Sequence, residues 1–130
     1  MTPQLQTIYT NEKLGIYGNC ISACVASLTD VPIKYVPYFR GMNNLEKGLT
    51  EYLDKCNMAF RGFKYNIPEN WGNIFTGVDG YVIVGGDSPR YINGTHAVIY
   101  RYGKPFFDPH PDATFLKNNK INRIYLITKK

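Results

Sequence analysis

Apolar residues recur at helical spacing in the first half of the chain and in short, strand-like runs in the second. The clearest periodic stretch lies between Asn44 and Asn57. There Leu45, Leu49, Tyr52, Leu53 and Cys56 share one stripe with charges between them, which predicts an amphipathic helix with Cys56 in the core. An earlier helix is predicted over residues 20–28, where Cys20, Cys24 and Leu28 share a face and Ile21 and Val25 lie beside it. Gly18 breaks the irregular lead-in of residues 1–17, and Asn19 is a favourable N-cap. Asp30-Val31-Pro32 ends this helix, and Pro32 and Pro37 bracket a short turn that presents Tyr35, Tyr38 and Phe39.

Beyond residue 57 the period changes. Residues 81–84 read as a buried strand that ends in a loop at Gly85-Gly86. Residues 95–102, a turn at Gly103-Lys104 and residues 105–108 read as a β-hairpin. Residues 123–128 supply a last strand, and residues 60–67 a weaker one. Two helices followed by a mostly antiparallel sheet define an α+β domain. No repeat or linker divides residues 1–130, so a single domain is expected.

A chain of 130 residues is long enough to bury a core, and its composition, 44% hydrophobic and 19% charged, argues against disorder. The apolar runs are far too short to span a bilayer. Residues 1–10 are mixed and polar, without the pattern of a cleaved leader, so a cytoplasmic location is expected and no membrane partner. The net charge of +5 is scattered, with some clustering at Lys117, Lys120, Arg123, Lys129 and Lys130. Such scatter is usually a solvated face, and the basic-aromatic pattern of single-strand readers is missing. Nucleic acid is therefore not the expected partner, and the charge equally suits an acidic substrate. Three cysteines make an odd count, which argues for reduced thiols rather than a disulfide framework.

Cysteine chemistry needs a thiolate, a base to generate it and a group that holds the base in the correct tautomer. Cys20 falls at the first turn of the predicted helix, where open amides and the positive dipole end stabilise an anionic sulfur or oxyanion. Cys24 lies one turn further in and is better read as packing. His96 opens the hairpin, with Val98 and Tyr100 on its side of the strand and Ala97 and Ile99 on the other. The returning strand ends at Asp108, which can bring a carboxylate beside His96 and leave the second imidazole nitrogen for the thiol proton. Cys20, His96 and Asp108 are thus the predicted catalytic residues.

The order Gly18-Asn19-Cys20, Ala23-Cys24, Thr95-His96-Ala97-Val98-Ile99 and Phe107-Asp108-Pro109 resembles papain-like cysteine peptidases. The likeness is to the peptidase domains of bacteriocin-exporting ABC transporters and to short papain-like proteins of phages and bacteria. It extends from Gln6 to Pro111 and includes Ala26-Ser27-Leu28, Val36-Pro37-Tyr38 and Asp108-Pro109-His110-Pro111. The resemblance implies a papain-like fold, N-terminal helices on an antiparallel sheet, and hydrolysis of an amide, isopeptide or related acyl bond without a cofactor. Such peptidases usually carry a glutamine a few residues before the cysteine, whose amide completes the oxyanion hole. Here Leu14 stands six residues before Cys20. Gln6 is then the first choice of donor and Asn19 the second, and losing one such donor typically costs about 10²–10³ in rate.

Simpler explanations compete. An isolated cysteine is more often core than nucleophile, a strand histidine is often merely satisfied, and Asp-Pro is a common strand exit where the aspartate caps a turn. Zinc binding by Cys20, Cys24, His96 and His110 has weak ligand spacing, so no metal is expected. Tyr35, Tyr38, Phe39 and Trp71 are candidates for the walls of a cleft, although packing explains them equally. Residues 85–90 lack the lysine of a phosphate loop and are expected to form a flap, with Arg90 facing an acidic substrate group and His110 on the rim. The expected partner is a peptide, protein or small amide substrate, in a host cytoplasm if a phage encodes the chain. The alternative is a non-catalytic papain-like module that sequesters a small ligand or host protein.

Overall fold

The computed structural model describes residues 1–64 and 67–130. Residues Cys20–Thr29 form helix α1, a run free of glycine and proline, in which Ser27 and Thr29 donate their hydroxyls back to the Ala23 and Val25 carbonyls. Every side chain from Ser22 to Leu28 is buried. The single apolar face legible in the sequence is only part of this, because other segments wrap the helix. Thr2 N–H donates to the Ser27 carbonyl, Gln4 N–H to the Ser27 hydroxyl, and the Ser22 hydroxyl to the Pro37 carbonyl. Asp30, in the left-handed region at φ 58°, ends the helix.

Helix α2 spans Leu45–Lys55; Asn44 caps it by accepting from Lys47 N–H, and Leu49 and Leu53 are its buried anchors. Cys56 is the C-cap and is only partly buried, so it lies at the edge of the core rather than within it.

Five strands follow: β1 (Met58–Lys64), β2 (Tyr81–Asp87), β3 (Thr95–Arg101), β4 (Lys104–Phe107) and β5 (Arg123–Lys129). They form one sheet in the order β1-β5-β2-β3-β4, with every pairing antiparallel. The chain is therefore an α+β domain, as expected. The strand predicted at residues 60–67 begins earlier, at Met58, and Tyr65 and Asn66 lie outside the described residues.

Gly85 and Gly86 do not form a loop; they continue β2, opposite Ala97 and His96. A Cβ on Gly86 would stand 2.3 Å from the Lys120 carbonyl oxygen, so glycine is required there by a crossing segment rather than by a turn. The β3–β4 turn also sits one residue earlier than predicted. Its central residues Tyr102 and Gly103 both have positive φ, 48° and 80°, as a two-residue hairpin of the right twist demands.

Both faces of the sheet are covered. Tyr81, Ile83, Ala97, Ile99, Tyr125 and Ile127 pack under α1 and α2, while Val82, Val84, Val98, Tyr100 and Ile124 pack with Leu116 on the opposite face. Phe39 is fully buried on the helix face, and Trp71 packs on Tyr100 across the sheet at 5.4 Å between rings. Phe39 is core, Trp71 is partly buried against the core, and Tyr35 and Tyr38 are exposed. Among the described residues, no helix is long and apolar enough to cross a membrane.

Candidate active site

Cys20 is the first residue of α1 and is half-buried at the wall of a cleft of about 750 Å³. Asn19 occupies the N-cap position but makes no capping bond. Its Oδ1 instead accepts from Thr7 N–H at 2.9 Å and Ile8 N–H at 2.8 Å, and its Nδ2 donates to Thr7 Oγ1 at 2.9 Å. The expectation of a side-chain cap is corrected, because the extended backbone of residues 7–8 takes this side chain. Two consequences follow. Among the described residues no side chain caps the amides at the start of α1 beside Cys20, and the segment carrying Gln6 is tied to the residue before Cys20.

Gln6 is buried, and it lines the cleft with Cys20. Its backbone N–H donates to the Pro109 carbonyl at 2.9 Å, and its side-chain Nε2 donates to the Ile8 carbonyl at 2.9 Å. Oε1 is buried without a partner among the described residues. Gly18 makes this packing possible, since a Cβ there would lie 2.9 Å from Gln6 Nε2 and 3.0 Å from the Ile8 oxygen.

His96, near the start of β3, is 5% exposed and donates from Nε2 to Asp108 Oδ1 at 2.6 Å. Asp108 follows β4 directly. Its Oδ1 also accepts from His110 N–H at 2.9 Å, and its Oδ2 accepts from Phe115 N–H at 2.8 Å. The two competing readings of this aspartate, turn cap and imidazole partner, are thus realised together. Burial pulls the His96 pKa down, but the Asp108 hydrogen bond and charge and the adjacent Cys20 sulfur outweigh it and raise the value to about 9. Burial likewise opposes the Asp108 charge, yet His96 and the two backbone amides hold its pKa below the usual carboxylate value. With Nε2 committed to the carboxylate, Nδ1 is the nitrogen left for the cysteine.

Cys24 behaves differently. It is fully buried, its Sγ lies 3.8 Å from the Ala97 carbonyl, and burial pushes its thiol well up, with Cys20 and Asp108 adding to the shift. It packs, as expected.

His110 stands edge-on to His96 at 6.3 Å and to Tyr9 at 5.3 Å between ring centroids. Its Nδ1 accepts from Asp112 N–H at 3.1 Å, so the neutral ring carries its proton on Nε2. Burial, then the Arg90 charge, holds its pKa below the ordinary histidine value. Arg90 donates from Nη1 to Thr114 Oγ1 at 2.8 Å, while its Nε is buried and has no partner among the described residues. Both residues line the cleft, as do residues 91–94. The cleft wall also includes Arg40, Lys64, Arg123 and Tyr125, which the sequence reading passed over because nothing local distinguishes them from surface or core residues. Trp71, Tyr35, Tyr38 and Phe39 are not part of it. Among the described residues, no three histidine, cysteine or acidic side chains converge as metal ligands.

Comparisons of the chain with protein-family models, with curated proteins and with solved structures found no match.

Proposed function

We propose that this chain is a papain-like cysteine hydrolase acting on an amide, isopeptide or related acyl bond. The observation that carries this reading is the buried 2.6 Å contact between His96 Nε2 and Asp108 Oδ1 on the wall of the cleft that Cys20 lines. In this mechanism Nδ1 of His96 takes the Cys20 proton while Nε2–H stays on Asp108, which stabilises the imidazolium. The thiolate attacks the substrate carbonyl. The resulting oxyanion meets the uncapped amides at the start of α1 and the side-chain amide of Gln6. His96 returns the proton to the leaving group, and water then resolves the thioester with His96 as base. Peptidase, deamidase and transglutaminase outcomes share these steps. The helix-borne cysteine, the histidine on the interior strand β3 and the aspartate just past β4 all support the reading.

The test is mass-spectrometric timing of iodoacetamide alkylation at neutral pH, with turnover measured on a peptide-amide and isopeptide library. Cys20 is expected to react ahead of Cys56 and to slow at least about tenfold in His96→Ala, and Cys20→Ala abolishes turnover. Equal rates at the two cysteines, indifferent to His96, would favour the binding module instead.

A further inference from the structure

The charges on the cleft wall are unequal. Arg40, Lys64, Arg90 and Arg123 face Glu12 and Glu46, and one of these acids is already paired, Lys64 Nζ lying 3.6 Å from Glu46 Oε1. Asp108 does not redress the balance, because its carboxylate is buried and accepts three hydrogen bonds. Among the described residues, no carboxylate lies within ion-pair distance of Arg40, Arg90 or Arg123. Arg40 stacks on the Tyr17 ring at 4.1 Å, and Arg123 lies beside the Tyr125 hydroxyl. Arg90 is the most telling of the three. Thr114 holds one end of its guanidinium at 2.8 Å, and its Nε–H is buried with no acceptor among the described residues. A cleft-lining guanidinium that has no carboxylate partner is matched at its terminal N–H groups by a planar, two-oxygen anion.

We propose that the substrate of the Cys20 cleft carries a carboxylate close to its scissile carbonyl, bound by Arg90 with support from Arg123 and Arg40. This rests on the cysteine-hydrolase reading of the same cleft and specifies its substrate class. Arg90 is placed for the task, since its charge acts on His110, whose ring lies 6.3 Å from that of His96. Neutral His110 puts no competing cation between them.

Iodoacetate and iodoacetamide test this without knowledge of the substrate. In both reactions a cysteine thiolate forms an S–CH₂ bond and iodide leaves, so the ratio of their rates at one cysteine cancels its thiolate fraction and reports attraction for a carboxylate. At low ionic strength the iodoacetate-to-iodoacetamide ratio is expected to be about tenfold higher at Cys20 than at Cys56. It should fall about three- to tenfold in about 0.5 M NaCl and by a similar factor in Arg90→Gln, and recover in Arg90→Lys. The salt arm uses the unmodified protein, so it holds even if a variant folds poorly. A ratio at Cys20 no higher than at Cys56 overturns the proposal. A high ratio indifferent to both Arg90→Gln and Arg123→Gln also overturns it, assigning the preference to the His96 imidazolium. In either case fast, His96-dependent iodoacetamide labelling leaves the hydrolase reading standing, whereas slow labelling at Cys20 overturns both.

Discussion

Asp108→Asn preserves the shape of the side chain and removes its charge, so its effect follows from the donors around the carboxylate. Three N–H groups point at it: His96 Nε2 and His110 N at Oδ1, and Phe115 N at Oδ2. An amide has one oxygen. With that oxygen toward His96 and His110, the new NH₂ faces the Phe115 N–H and leaves it without an acceptor. With the oxygen toward Phe115, the NH₂ faces two donors, and the imidazole accommodates it only by moving its proton to Nδ1, the nitrogen that must accept from Cys20. Either way a buried donor is orphaned, at a cost of about 1–3 kcal/mol, or a melting-temperature loss of roughly 3–10 °C. The ionisation of His96 is the sharper readout. Its rise from 6.5 to about 9 favours the imidazolium by about 3 kcal/mol, and Asp108 is the first of the groups that raise it. With the carboxylate gone, burial still opposes the charge and only the Cys20 sulfur still favours it. His96 in the variant is therefore expected to titrate more than about one unit lower, as followed by its Cε1–H resonance. Cys20-dependent turnover should fall about 10²–10⁴-fold. A His96 pKa unchanged from the parent protein would refute the assignment of Asp108 as its electrostatic partner.

Other outcomes follow from the same coordinates. Asn19→Ala removes three hydrogen bonds to residues 7 and 8 and should cost about 2 kcal/mol or more by urea unfolding. Asn19→Asp keeps an oxygen that accepts from both the Thr7 and Ile8 amides and should cost less than about half as much. Gly86→Ala drives a Cβ to 2.3 Å from the Lys120 carbonyl and should destabilise by more than about 2 kcal/mol, whereas Gly85→Ala, with its nearest contact at 3.4 Å, should stay within about 1 kcal/mol. The His96–Asp108 pair also sets a pH profile. The raised His96 pKa contributes stability in full below 6.5 and loses it as pH rises through about 9. The lowered Asp108 pKa contributes stability above 3.8, which is lost as pH falls through the folded value. Urea midpoints should therefore decline between roughly pH 7 and 10, and Asp108→Asn should flatten that decline.

The periodic elements were legible because their signals are local. The stripe at Leu45, Leu49 and Leu53 buries Leu49 and Leu53 in α2, and the run after Gly80 is indeed a strand. The pairing of His96 with Asp108 was also within reach, since a two-residue turn allows an antiparallel return only a narrow range of registers, and residues 96 and 108 flank it. Asn19 and Gly86 misled for one reason. Each has a common local use, capping or turning, and in each case a segment distant in sequence supplied a stronger demand.

Residue order alone therefore settled the α+β class, the helix that starts at Cys20 and the hairpin that returns Asp108 to His96, because these depend on neighbours a few positions apart. Tertiary structure decided the rest: that Asn19 binds residues 7 and 8, that Gly86 yields to the Lys120 carbonyl, and that Arg40, Arg90 and Arg123 share a wall with Cys20. Those partners are separated along the chain, and only the packing of sheet, helices and crossing loops brings their backbones and charges within range of one another.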